Sequence, residues 1–219
     1  MFCMNNAQSS VEQISRWIES GARLSVAAIS ESAQQFLKNA LVPAERLTTV
    51  WASKGDELQE MVVEQNPVAG SYGYIDKETS QFVSIDQSEV EQYAVDVPNF
   101  IKSLQRSVGL TSSTIELVPN HLWYLGSVLL NEDRVAPLFL AREIDSDVVS
   151  MDVIRALMAG CYDEGVLIST APRIQGGYTL AGQQLTRLNN VAKMTSKGVA
   201  LDMKKLEALF ACHSQGSNK

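Results

Sequence analysis

The sequence predicts an α+β fold: an N-terminal helical layer, a mainly antiparallel central sheet, and a C-terminal helix–β-hairpin–helix segment of winged-helix type. Three observations predict it. Apolar residues recur at helical spacing through roughly the first fifty positions. From about residue 60, short runs rich in branched and aromatic residues follow one another, with turn-forming residues between them. These runs are tightly linked and do not alternate with helices, which argues against a doubly wound parallel sheet. A chain of 219 residues that is 45% apolar and 20% charged can bury a substantial core. Composition divides it into 1–58, 59–150 and 151–219, three regions compatible with one compact domain.

Ser9 and Glu12 match a capping box and predict a helix start, with Val11, Ile14, Trp17 and Ile18 on one face. Gly21 interrupts that pattern. A second helix is expected over 24–41, and a third from Pro43 to about 53 with Leu47, Val50 and Trp51 facing inward. Trp17 and Trp51 are both expected as core anchors. The run EMVVEQ predicts a short strand, and SYGYID with QFVSID a hairpin around the turn at 77–80. A helical segment begins near Ser88, is interrupted at Pro98, continues to Val108 and is capped by Gly109.

The middle of the chain is the most β-like. STIELVP, HLWYLGSVLL and RVAPLFLARE predict three successive strands, the last two joined by the turn Asn131, Glu132, Asp133. Both faces of the second run are apolar, so the sheet is expected to be covered on both sides. Trp123, Leu125, Leu138 and Leu140 are expected in the core. Pro137 lacks an N–H and is expected at an edge or a bulge. Downstream, a helix from about 151 to 162 carries Cys161, expected buried and inert. The stretch GVLISTAPRIQGGYTL then offers a strand over 166–168, an Arg-bearing tip and a returning strand at 178–180, with a further helix from 181. It can be a phosphate cradle, the wing of a winged helix or a plain hairpin. The glycines precede a strand and not a helix N-terminus, which argues against the cradle.

Pro119, the run Trp123-Tyr124-Leu125, Phe139-Leu140 and Arg142-Glu143-Ile144 resemble the WYL-type ligand-sensing domain of bacterial transcription regulators. The resemblance covers residues 119–144. It implies paired strands there and a ligand-sensing role in regulation. The family's upstream hairpin and basic ligand-binding residues have no aligned counterpart, so no binding residue carries over.

Functional signals are sparse. No signal peptide, membrane-length apolar run, disulfide framework or CxxC knuckle is present, and the three cysteines are scattered. A cytoplasmic protein without membrane contact is expected. Metal-protease, nucleophile-elbow, P-loop and dinucleotide fingerprints are absent, so no cofactor and no metal is expected. Asp145, Asp147 and Asp152 could supply oxygens to a cation, but capping of the following helix by Asp147 or Ser150 explains them better. The formal net charge is −7. From Arg173 onward seven basic residues stand against two acidic ones, a net of +5 that leaves −12 for the rest. An acidic body with a basic end points to a non-enzymatic regulatory or adaptor protein, acting through Arg173, Gln175, Arg187, Lys193 and Lys197. Its expected partner is a protein or a second copy of the chain, with nucleic acid as the alternative. The competing reading is an enzyme with an acidic or Ser/Thr site around Asp145, Asp147, Ser169 and Thr170.

Overall fold

The structure, a computed structural model, describes residues 4–21, 23–25, 40–54, 57–130, 134–174 and 177–211. It contains both helices and mostly antiparallel sheets, a mixed α+β architecture. The chain divides into two units: Arg23–Val95, and Met1–Ala22 together with Asp96–Lys219.

The larger unit opens with α1 (Met4–Ser20). The helix begins before the expected cap, so Glu12 lies within it and pairs with Arg16 one turn on, at 2.7 Å. Val11, Ile14, Trp17 and Ile18 are buried, as their spacing predicts.

The smaller unit corrects the N-terminal reading. The expected helix over 24–41 falls mostly on residues 26–39, outside the described residues. The expected helix over 43–53 is not formed. Four strands occupy this region: β1 (Leu24–Ser25), β2 (Leu41–Pro43), β3 (Thr49–Lys54) and β4 (Glu57–Val62). β3 and β4 form an antiparallel hairpin in continuous register from Thr49↔Val62 to Lys54↔Glu57. The physical reason is the period. Val50 and Trp51 can share a helical face, but in a strand they point to opposite sides.

Four strands and a short helix complete the described part of this unit: β5 (Glu64–Gln65), β6 (Tyr72–Ile75), β7 (Phe82–Ile85), α2 (Gln87–Val90) and then β8 (Gln92–Val95). β6 and β7 form the expected hairpin. A ten-residue repeat, not recognised in the sequence, governs the segment. Asn66, Asp76, Asp86 and Asp96 each begin a turn by accepting backbone N–H groups on the side-chain oxygen: Val68 and Ala69, Glu78 and Thr79, Ser88, and Asn99. Short acceptors two or three residues ahead of the donors close turns cheaply, which is why Asn and Asp recur there.

Asp96 also caps α3 (Val97–Ser107), where Pro98 stands in the first turn and its missing N–H is no loss. The six-stranded sheet of the larger unit has the order β13-β14-β12-β11-β10-β9. Its strands are β9 (Ile115–Val118), β10 (Leu122–Leu130), β11 (Arg134–Ala141), β12 (Val166–Ser169), β13 (Tyr178–Leu180) and β14 (Gln183–Arg187). β9, β10 and β11 pair antiparallel, as expected; the turn at 131–133 lies outside the described residues. Trp123, Leu125, Leu138 and Leu140 are all buried. The register slips between Tyr124 and Gly126. The displaced carbonyl of Leu125 accepts from the buried Gln105 side chain on α3 at 2.7 Å, so the bulge leaves no orphan acceptor. Gly126 has φ +122°, and a Cβ there would come within 2.8 Å of Ser112 Oγ.

The C-terminal expectation is corrected in topology. Residues 166–168 and 178–180 do not form a hairpin. β12 runs parallel to β11 on one side and to β14 on the other, and β13 pairs antiparallel with β14. Residues 183–187, expected in a helix, are this inserted strand. An apolar run flanked by buried strands gains more from two ladders than from one. Helix α4 (Asp147–Ala159) forms the crossover between β11 and β12, and its N-cap is Ser146, not Asp147 or Ser150. It ends early, leaving Cys161 exposed with φ +47° and not buried in a helix. Pro137 is not at a sheet edge. It lies one residue ahead of the parallel pairing that starts at Leu138↔Val166, at the margin of that ladder.

The unit closes with α5 (Leu188–Val191), the hairpin β15 (Ala192–Thr195) and β16 (Gly198–Leu201), and α6 (Met203–Ala211). On one face of the sheet, Val153 and Leu157 of α4 pack over Leu122, Phe139, Ala141, Leu167 and Leu185. Tyr124, Phe139 and Tyr162 form an aromatic cluster there, with ring centroids 4.9–5.5 Å apart. α3 and α6 pack against β10.

Gly165, entering β12, allows a close approach to β11: a Cβ there would sit 2.2 Å from the carbonyl oxygen of Pro137. Gly165→Ala is expected to destabilise the protein by about 1–3 kcal/mol, the usual range for overpacking. A urea unfolding midpoint unchanged from wild type would contradict this.

Candidate functional site

Three parallel neighbours, β11, β12 and β14, end on the same side of the sheet. The carboxyl ends of parallel strands are where open α/β sheets place their sites. Arg142 follows β11, Thr170 follows β12 and Arg187 closes β14. The last turn of α1 delivers Glu19 among them. Its carboxylate accepts from the Glu143 backbone N–H at 2.9 Å and from the Thr170 hydroxyl. Arg142 Nη2 donates to the Glu19 carbonyl at 3.2 Å and pairs with Glu143 at 2.8 Å.

Burial raises the Glu19 carboxyl above the ordinary glutamate value. The hydrogen bonds from Thr170 and Glu143 and the charge of Arg142 oppose that rise, while Asp145 adds to it. His121 Nδ1 lies 3.6 Å from Glu143 Oε2, near enough for an ion pair when the ring is protonated but too long for a hydrogen bond. His121 Nδ1 and Arg142 Nε are buried without hydrogen-bond partners. Beside the cluster, Ser15, Ser169, Thr170 and Asn189 line a cavity of about 20 Å³, room for one water and no larger ligand.

The residues of the catalytic reading are partly brought together. Ser169 and Thr170 are buried and Thr170 reaches Glu19, whereas Asp145 and Asp147 are exposed. Ser169 Oγ accepts from the Ala171 N–H at 3.0 Å, and Thr170 also donates to the Ala141 carbonyl at 3.2 Å, so both hydroxyls are engaged in holding the chain. Among the described residues no group of three His, Cys, Asp or Glu could hold a metal ion. None of their helices is long and apolar enough to cross a membrane.

The basic residues are placed differently from the expected helical face. Arg173 is exposed in a turn, and Gln175 lies outside the described residues. Arg187 Nε donates to the Ile174 carbonyl, tying that turn to β14. Lys193 sits on β15 and pairs with Asp202 at 3.1 Å; this hydrogen bond holds the Asp202 carboxyl below its ordinary value. Lys197 is exposed in the β15–β16 turn. The four-residue spacing of Lys193 and Lys197 therefore spans a hairpin end and not one helical turn.

In the smaller unit the β3–β4 hairpin turns an apolar face outward. Trp51 is 67% exposed, against the expectation of a core anchor. Cross-strand register places it opposite Glu60, with Leu58 and Val62 as its diagonal neighbours, themselves 67% and 63% exposed. Met61, on the opposite face, is buried. A separate cleft of about 830 Å³ in this unit is lined by Arg23, Pro43, Glu45, Arg46 and Tyr93, among others. Its arginines are committed: Arg23 pairs with Glu45 at 3.0 Å, and Arg46 stacks on Tyr72 at 4.7 Å.

Compared with known proteins, the chain matches no family model, no curated protein and no solved structure. The WYL-type resemblance of residues 119–144 thus has no family match behind it. Sequence reasoning missed Glu19, Arg142 and Glu143 as a cluster. One signal was present: an acid in the last turn of a helix opposes the helix dipole, and so points to a tertiary partner.

Because the native state binds the Glu19 proton more tightly than the unfolded chain, stability falls as pH rises from the ordinary glutamate range through the raised native value. Glu19→Gln removes this dependence. The variant is expected to melt higher than wild type at neutral pH, with the difference shrinking as acid protonates Glu19. Parallel melting curves across that pH range would refute the burial argument.

Proposed function

We propose that this protein is a non-enzymatic adaptor or regulatory protein that acts by binding another protein. The observation that carries the reading is the outward face of the β3–β4 hairpin, where Trp51 stands between Leu58 and Val62. A two-stranded ribbon gains little by exposing a tryptophan flanked by two large aliphatic residues. Contiguous exposed apolar surface of this kind marks interaction sites, and tryptophan is the residue most enriched among binding hot spots. Engagement of the Ser169 and Thr170 hydroxyls, and the lack of space beside Glu19, weigh against the catalytic alternative.

Trp51 supplies its own test. Of the chain's three tryptophans, Trp17 and Trp123 are 9% and 8% exposed, so Trp51 dominates the quenchable emission. Affinity capture with wild type and with Trp51→Ser is expected to yield a protein retained by the first and lost by the second. Titration of that protein is expected to shift tryptophan emission to the blue. Equal capture by both forms would refute the role of this face.

A second reading, contact with nucleic acid, is favoured by the exposure of Arg173 and Lys197. It predicts binding to a labelled duplex at low salt, weakening with a log–log slope of about −0.9 per phosphate neutralised. Lys197→Glu is then expected to lower affinity without unfolding the protein, since exposed charges contribute little stability. An anisotropy titration without signal at low salt removes this reading.

A further inference from the structure

Helix α4 is apolar on more than the face it buries. Val153 and Leu157 point into the core, yet Val148, Met151 and Met158 on the opposite side are 73%, 50% and 67% exposed. With Arg155 they occupy positions i, i+3, i+7 and i+10, the spacing of a helix–helix seam. A helix apolar on both sides normally has both sides covered. The patch is also wider than the helix. Ile115 on the edge strand β9 pairs in register with Tyr124, so it lies on α4's side of the sheet, and it is 51% exposed.

We propose that this face of α4 is a self-association surface, on which a second copy of the chain packs its own α4 antiparallel about a two-fold axis. Charge selects that occupant. Arg155 and Asp152 flank the middle of the seam and pair with each other at 3.0 Å within one helix, both remaining exposed. Antiparallel packing centred near residue 153 sets Val148 against the partner's Met158. It sets Met151 against the partner's Arg155, which brings that guanidinium beside Asp152. Two arginines and two aspartates then alternate around the axis, so the patch is complementary to itself, as a two-fold interface requires. Antiparallel helices also oppose their dipoles favourably. Methionines at two of the apolar positions suit a surface that must adapt to its own copy. Thirteen residues make a contact only about 20 Å long, shorter than standard interfaces need, so a concentration-dependent dimer is the expected form.

Sedimentation velocity of the full chain, from low micromolar to submillimolar concentration, tests this. Wild type is expected to move from monomer to dimer. Met151→Glu is expected to weaken dimerisation by at least about tenfold, with an unchanged circular dichroism spectrum because the side chain is exposed. Arg155→Glu is expected to do the same by placing four like charges around the axis. The exchange of Asp152→Arg with Arg155→Asp keeps alternation and is expected to dimerise as wild type does. A monomer throughout the range overturns the proposal and leaves the seam to a different protein. A dimer indifferent to Met151→Glu, or a charge exchange that fails to dimerise, overturns it as well.

Discussion

The larger unit depends on one constraint: β11 must be covered on both faces and paired along both edges. Six consecutive residues, 136–141, are buried, and five of them are fully inaccessible apolar side chains. Each fully buried large side chain contributes roughly 1.5–3 kcal/mol by leaving water, so the strand cannot sit at an edge or face solvent. Its needs call up the rest. β10 pairs on one side and β12 on the other; α4 lies over one face, and alternate residues of the other face are buried as well. A parallel neighbour requires a crossover, and α4 is that crossover.

Two polar devices make this packing specific. The bulge at Leu125 would strand a buried carbonyl, and Gln105 answers it, while Thr114 donates to the Gln105 amide oxygen. The second device is at the carboxyl ends of the parallel strands, where Glu19, Thr170, Arg142 and the Glu143 backbone bind α1 to the sheet. Open α/β sheets commonly place ligands at such carboxyl ends. Here a carboxylate from the chain itself occupies the place, and the structure uses a favourable site for assembly. Large exposed apolar residues lie elsewhere, among them those of the β3–β4 hairpin and of α4.

Those surfaces follow a common rule. The β3–β4 hairpin and α4 each bury one side and leave large apolar residues on the other. In the smaller unit Asn66 and Asp76 set the β5–β6 and β6–β7 turns by local hydrogen bonds, so those two hairpins need little core to define them.

Local chemistry was legible in the sequence wherever the period was unambiguous. The inward face of α1, the strands β9, β10 and β11, and the β6–β7 hairpin all follow from spacing alone, because neighbours three or four apart, or two apart, share an environment. Trp51 and Val50 could not be assigned this way: a six-residue run with adjacent apolar residues suits a helix face or two sides of a strand. Only pairing with residues 57–62 decides between them. The insertion of β14 between β12 and β13 was equally hidden. Residues 166–168 and 178–180 have the form of a hairpin, and the choice of partner depends on β11 needing a parallel neighbour that itself is covered on both edges. The cluster around Glu19 joins residues more than a hundred positions apart, and local sequence carries no record of such a meeting. Periodicity determined the type of the segments whose period was unambiguous; tertiary packing decided the type of the others, residues 49–54 and 183–187 among them, and which elements touch. Burial of apolar area is non-directional, so it is satisfied only by the whole arrangement at once.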